Sequence, residues 1–419
     1  MLIRTLVSFI CFKDKNKMGN LLGSPIVDKE THVGRTEEGL EFGVSSMQGW
    51  RVHMEDAHIC EARLYANEGD IKVDLPGHSL FAVFDGHGGT FAAEYAGSNM
   101  LRVLSRQAKF IQYAKFHHER QTKELTLREA ERVQYVRAGL DLLEGALRDA
   151  FVEIDCEIFK ARRGQWEPDA YSPYHPQTAD DNHASAMDAS DASNSHRRAA
   201  EDDDDDSGTT AVVVMITPHW IVCANAGDSR SVASKQSGKA VPLSYDHKPD
   251  DSDELRRIQA AGGHVSGGRV EGDLAVSRGL GDFRFKISAT VLNANIPLTQ
   301  DHEGSELVKP GDQKVSPIPD IIVQNRNAVN DEFVVVACDG IWDVQTNYEC
   351  VKMIGDIFRE GETDLGLLCE EVCCYIWTLN CPCASTLYPT LLSSHEQTTS
   401  LKFISRSSIC ACPWGAKIT

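Results

Sequence analysis

Apolar residues along much of the chain fall into short continuous runs, the pattern of strands buried on both faces. Leu80 to Phe84 (LFAVF), Ala211 to Ile216 (AVVVMI), Trp220 to Ala224 (WIVCA) and Phe333 to Cys338 (FVVVAC) all have strand length, and Thr217-Pro218-His219 makes a turn between the second and third. Phe42 to about Cys60 reads as strand, turn and polar segment. From Phe91 to about Arg163 the pattern changes. Proline is absent, and Leu140, Leu143, Leu147, Phe151 and Ile154 recur at steps of three or four, so two or three helices are expected there. Asp253 to Ala261 predicts a short helix stopped by Gly262-Gly263. No repeat of solenoid period is visible.

Gly164 to Asp206 breaks this pattern with three prolines, many Ser, Ala and Asp, and the run Asp202 to Asp206. Between Asp180 and Asp206 ten acids face two arginines, a net charge of −8 out of −20 for the whole chain. Such a segment cannot bury enough apolar surface to fold by itself, so it is expected to be a solvated acidic insertion ahead of a metal or partner site. The expected organisation is an N-terminal extension over 1–37, a main domain over 38–358 carrying the 164–206 insertion, and an atypical Cys-rich tail over 359–419.

The 419 residues are 42% hydrophobic and 25% charged, enough for one large domain or two or three modest ones. No apolar run approaches the ~20 residues that cross a bilayer. With 62 Asp and Glu against 42 Lys and Arg, a nucleic-acid binder that coats phosphates is excluded. The surplus carboxylates leave divalent metal binding or acidic low complexity. Cys11, Cys60, Cys156, Cys223 and Cys338 are scattered singly, as in a reduced intracellular protein, and the other eight cysteines lie between Cys350 and Cys412. The run Leu6 to Phe12 is too short for a signal peptide and lacks a small-residue cleavage site, so a cytoplasmic or nuclear location is expected. From Met18-Gly19-Asn20 the chain nearly fits the myristoylation pattern, with Gly23 where Ser or Thr is wanted, so an acyl anchor is expected only if translation starts at Met18.

Three of the apolar runs end in aspartate. FAVF leads to Asp85-Gly86, VVVAC to Asp339-Gly340, and HWIVCANA to Gly227-Asp228-Ser229. A buried strand delivers a carboxylate with little freedom, and an adjacent glycine lets backbone approach a ligand closely. Any one Asp-Gly is an ordinary turn signal. Carboxylates gathered from three strand ends repel one another unless a cation sits among them, and oxygen-only ligands select Mg²⁺ or Mn²⁺. Arg51-Val52-His53-Met54-Glu55-Asp56 adds a guanidinium suited to gripping a phosphate, with a surface ion pair as its bland alternative. Metal-assisted hydrolysis of a phosphate ester is the chemistry these residues point to.

Seven segments in order resemble the motifs of the metal-dependent protein serine/threonine phosphatases (type 2C, or PPM). They are Ser45 to His58 (SSMQGWRVHMEDAH), Phe84 to Gly89 (FDGHGG), Gly208 to Ala211, Ala226 to Arg230 (AGDSR), Asp246 to Pro249 (DHKP), Leu274 to Asp282 (LAVSRGLGD) and Ala337 to Asp343 (ACDGIWD). The resemblance covers roughly residues 38 to 355. It implies an α/β (α+β) four-layer sandwich of two antiparallel β-sheets flanked by α-helices, acting as a monomer on phosphoproteins by means of a metal-bound water. By the same resemblance Asp85 would bridge two Mg²⁺ or Mn²⁺ ions, the Gly86 carbonyl would bind one, and Asp339 the second. Glu55, Asp56, His87, Thr210 and Asp343 would hold metal-bound waters, Asp228 would serve a weaker third ion, Arg51 would hold the phosphate, and His87 would act as general acid.

The family's closing Gly-x-x-Asp-Asn segment is missing. Its Asp is a further metal ligand and the following strand completes a sheet, whereas the last aspartate here is Asp364. An open sheet edge and a weakened second metal are expected; Glu370 or Glu371 could substitute as a ligand, but nothing in the sequence places either at the site. The Cys-x-Cys pairs of the tail match no common zinc framework, and an alternative exon or gene end accounts for the composition shift more economically. A pseudophosphatase that binds phosphoproteins without turnover is the alternative function.

Overall fold

The computed structural model describes residues 4–8, 21–162, 206–286 and 309–380. Most of the acidic insertion, the Met18 start and the Cys-x-Cys pairs lie outside them.

Two sheets form the frame. One has six strands in the order β13-β12-β18-β1-β3-β2, built from β1 (Arg4–Ser8), β2 (Leu21–Arg35), β3 (Glu41–Arg51), β12 (Arg230–Lys235), β13 (Lys239–Pro242) and β18 (Asp331–Ala337). The other has five in the order β17-β11-β10-β7-β4, from β4 (Ala57–Glu61), β7 (Ser79–Phe84), β10 (Ala211–Ile216), β11 (Trp220–Ala226) and β17 (Asp320–Asn325). Smaller pairings involve β5 (Leu64–Glu68) with β6 (Ile71–Leu75), β8 (Gly86–His87) with β9 (Gly208–Thr209) and β16 (Leu280–Gly281), and β14 (Val265–Ser266) with β15 (Arg269–Val270). The helices are α1 (Phe91–Arg106), α2 (Ala108–Thr126), α3 (Glu129–Arg162), α4 (Ser252–Ala260), α5 (Asp339–Trp342), α6 (Asn347–Arg359) and α7 (Leu365–Asn380).

The continuous apolar runs are explained by what covers them. Successive strand residues point to opposite faces. On β7, Phe81 and Val83 meet Phe42, Val44, Val334 and Val336 of the other sheet, while Ala82 and Phe84 meet Leu104, Leu147 and Phe151 of α1 and α3. The outer face of the six-stranded sheet buries Met47, Val335 and Ala337 under Ile354 of α6 and Leu368, Val372 and Ile376 of α7. The three helices found between Phe91 and Arg162 agree with the expected two or three. Among the described residues no helix is long and apolar enough to cross a membrane.

Three features depart from expectation. The five-stranded sheet is antiparallel throughout, but the six-stranded sheet is mixed, because β1 runs parallel to both β18 and β3. No gap is left between those two strands, since β1 supplies the ladder partners that an open edge would have lacked. Residues after 358 continue as α7, whose Leu365, Leu368, Cys369, Val372, Cys373 and Ile376 recur at helical steps and are buried.

His78, just before β7, lies edge-on to His117 of α2 with ring centroids 4.6 Å apart, and its Nε2 is 2.8 Å from the Tyr113 hydroxyl. Burial, then the neighbouring imidazoles, pushes His78 down to about 3 and His117 down to about 4, and burial also lowers His219, with Arg120 adding to the effect. The fold therefore favours the neutral rings. Stability is complete above the unfolded histidine value near 6.5 and is lost as pH falls from there toward 4. The denaturant midpoint of the parent, measured from pH 7 to 4, is expected to fall relative to that of the His78→Gln variant over the same window, the difference isolating the rings from the carboxylates that titrate in both proteins.

Candidate active site

The strand ends that carry aspartate meet at one edge of the two sheets. β7 leads to Asp85, β18 leads through Cys338 to Asp339, and β11 leads to Gly227-Asp228. The ligand atoms of Asp85, Cys338 and Asp339 all lie within 4.8 Å of one another. Asp343, one residue beyond α5, donates its backbone N–H to the Asp339 carbonyl at 2.8 Å, which brings its carboxylate near that group.

Proximity of buried carboxylates has an electrostatic cost. Burial, then Asp56 and Asp228, pushes Asp85 up to about 8. Burial, then Asp339, pushes Asp56 up to about 7, and burial with Asp85, Asp228 and Asp343 holds Asp339 well above the carboxylate range. Both Asp56 oxygens are buried without a well-formed hydrogen bond, the Gly86 N–H giving only a weak electrostatic contact. The two donorless oxygens of Asp56, gathered with the carboxylates of Asp85, Asp339, Asp228 and Asp343, make an oxygen-rich donor set of the kind that a hard divalent cation satisfies. Cys338 is the one soft atom among them, and the sequence reading did not include it.

Local structure explains how the loops reach this point. Gly86 is placed so that a Cβ would lie 2.0 Å from the Glu55 carbonyl oxygen, so only glycine lets the 52–56 loop close against β8. Gln48 Nε2 holds that loop by donating to the Arg51 and Val52 carbonyls at 2.9 and 3.0 Å. Arg51, the last residue of β3, donates to Glu55 Oε2 at 3.0 Å, and Glu55 Oε1 accepts from the Gly89 N–H at 2.9 Å. The Thr210 hydroxyl accepts from the Asp85 N–H at 3.3 Å and lies 2.6 Å from Ser229 Oγ, while the Thr210 N–H donates to the Asp85 carbonyl at 3.0 Å. Thr210 thus braces the Asp85 turn.

His87 also belongs to this group. Its Nε2 sits 2.9 Å from both oxygens of Asp282. Burial alone would depress the imidazole, but Asp282, then Asp85 and Asp228, outweighs burial and holds it above the usual histidine value. Asp282 adopts the left-handed region, φ 54°, and a Cβ on Gly208 would strike its carboxylate at 2.1 Å. Asp155 of α3 fixes the preceding residue by accepting the Gly281 N–H at 2.8 Å, and is paired with the buried Lys286 ammonium at 2.7 Å. Sequence reasoning quoted Asp282 within a motif without giving it a role. The signal was the unusual Gly-Asp after a β-bridge, but the contact spans 195 positions and needs the fold to be seen.

Asp228 accepts from Lys248 Nζ at 2.6 Å, which places a lysine beside the carboxylate cluster that was also missed. Glu370 does not join the cluster. It accepts from Thr31 Oγ1 at 2.8 Å, on the face of β2 that packs under α7, because the helix points that side chain along the sheet. Glu371 is exposed on the same helix. All of the other residues named from the sequence as ligands or catalytic groups fall at this one edge.

The family model for protein phosphatase 2C matches residues 40–147 and 165–378. Protein phosphatase 2C homolog 2 of Saccharomyces cerevisiae is 32% identical over 359 residues, covering 85% of this chain and 58% of that protein. The Hypocrea jecorina protein of the same description is 34% identical over 358 residues, covering 85% and 61% respectively. The corresponding Schizosaccharomyces pombe protein is 31% identical over 358 residues, covering 85% and 72%. The chain spans about three fifths of the length of the first two. A family match over most of the chain, falling on the segments that build the carboxylate cluster, makes this chain a member of the protein phosphatase 2C family.

Proposed function

We propose that the chain is a metal-dependent protein serine/threonine phosphatase that hydrolyses phosphoserine and phosphothreonine in proteins. The observation that carries this reading is the meeting of Asp85 and Asp339, from different sheets, with like charge that His87, Arg51 and Lys248 offset only in part. In this reading the fold is the family's four-layer sandwich. Asp85, the Gly86 carbonyl, Asp339, Asp228 and Asp343 hold two Mg²⁺ or Mn²⁺ ions and a weaker third, while Glu55 and Asp56 line the same site. Bound there, the ions supply positive charge that shields the phosphate and lowers the pKa of water.

The remaining roles belong to the chain's own side chains. Arg51 offers a planar guanidinium held in place by Glu55, so it can grip a phosphate monoester without first being ordered. His87 is the general acid. With Nε2 committed to Asp282, the Nδ1 proton is the one left for the departing serine or threonine oxygen. No cysteine nucleophile is required, in keeping with burial that pushes the thiols of Cys223 and Cys350 upward, away from the reactive thiolate.

The test is phosphate release from a phosphothreonine peptide titrated with Mn²⁺. Saturable release that disappears on chelation is expected. A folded chain that binds Mn²⁺ but releases no phosphate would overturn the reading in favour of a phosphoprotein-binding pseudophosphatase.

A further inference from the structure

The six-stranded sheet is joined at its centre by its shortest strand but one. Arg4–Ser8 pairs with Phe333–Ala337 on one side and with Glu41–Ser45 on the other, parallel to both. β3 and β18 have no ladder with each other among the described residues, so β1 is the only strand that connects β13-β12-β18 to β3-β2. Both strands it joins run into the site. β3 ends at Arg51, and β18 leads to Asp339 two residues beyond Ala337.

The position of this strand is enclosed. α7 packs over β1, β2 and β3, and β7 of the other sheet lies beneath β1. Were β1 absent, the facing backbone groups of β3 and β18 would lose their partners inside the protein, away from water. Unmatched groups there are costly, so the space between the two strands has to be filled by an extended segment. The segment that fills it is joined to β2 through residues 9–20, and its parallel ladders are slightly weaker per residue than antiparallel ones.

We infer that Arg4–Ser8 is a detachable sheet-completing strand that sets the separation of β3 and β18, and that its place can be refilled in trans by a peptide of the same sequence. The inference does not depend on phosphatase activity, because backbone pairing alone carries it. It also gives the N-terminal 17 residues a consequence: a chain translated from Met18 would lack the strand.

The experiment is hydrogen exchange on the full chain and on its Leu6→Pro variant, followed in segments 41–45 and 333–337, with β10 as the internal reference. Proline removes a ladder N–H from a central strand, where it is not tolerated. Exchange in the two flanking segments is expected to quicken by about tenfold or more while β10 is unchanged. A synthetic peptide of residues 1–17, kept soluble by Lys13, Lys15 and Lys17, is expected to restore protection saturably, and the same peptide with Leu6→Pro to fail. Unchanged protection in the variant overturns the inference, as does equal rescue by the proline peptide. Should the variant lose protection everywhere, rescue by the wild-type peptide supports the inference and failure to rescue overturns it.

Discussion

Asp85→Asn is expected to reduce Mn²⁺-dependent phosphate release by at least about a thousandfold and, in the absence of metal, to make the protein more stable than the parent. The two effects have one cause. Asparagine keeps the shape of the side chain and removes a charge that burial, Asp56 and Asp228 oppose strongly enough to raise it to about 8. In the metal-free protein that charge is a cost, so its removal relieves Asp56 and Asp339, both of which are raised in part by like charge nearby. With metal the balance reverses, because the ions need the carboxylate that was removed. Thermal melts with chelator and with Mn²⁺ check both halves. The parent should gain several degrees on adding Mn²⁺, as expected for a ligand bound only by the folded state, and Asp85→Asn should gain little. A variant destabilised in chelator would show that Asp85 is a structural residue and would remove the argument for a cation at this point.

Glu157→Ala carries the largest expected loss of stability. Arg102 on α1 and Glu157 on α3 form a buried pair, with side chains 3% and 5% exposed, joined through both guanidinium nitrogens. Asn99 accepts from Arg102 Nε at 3.1 Å and Tyr95 donates to Glu157 at 3.1 Å, so the pair is fully embedded in partners. Removing the carboxylate leaves a guanidinium in the interior without its counter-charge, at a cost of about 3–5 kcal/mol. The melting temperature should fall by roughly 10 °C. The double variant Arg102→Met, Glu157→Leu, which removes both charges and keeps the volume, should recover most of that loss. Calorimetry of the three proteins in parallel is the measurement. Equal losses in the single and double variants would show that packing, rather than the uncompensated charge, sets the cost.

The apolar runs made most of the frame legible. LFAVF, AVVVMI, WIVCA and FVVVAC became β7, β10, β11 and β18, because strands covered on both faces need no alternation to announce themselves. The site was legible for the same reason, since an aspartate at the end of a buried strand is placed by the strand. Elements whose signals are local but were outweighed by composition were passed over. Thr346-x-x-Glu349 is a capping box and opens α6, with both reciprocal hydrogen bonds formed. Leu365 to Ile376 has helical spacing, yet its cysteines drew attention to metal chemistry instead. β1 was unreadable for a different cause. Five residues without internal hydrogen bonds become a strand only when two others, 37 and 329 positions away, present their edges. Asp282 belongs with it, its role being created by a left-handed turn and a distant histidine.

The acidic insertion leaves and re-enters the domain at nearly the same spot. Arg162 at the end of α3 donates to Asp206 at 3.1 Å, Arg284 reaches the same carboxylate at 3.1 Å, and Ser207 accepts the Ala92 N–H at 3.2 Å. Because these ends are clasped by the folded domain, the closure entropy of whatever lies between them grows only with the logarithm of its length. Changes of length in that segment are thereby uncoupled from the geometry of the carboxylate edge. The segment is a position where evolution can lengthen, shorten or rewrite the chain, and where an engineer could seat a reporter or open new termini, while the strands that aim Asp85 and Asp339 keep their register.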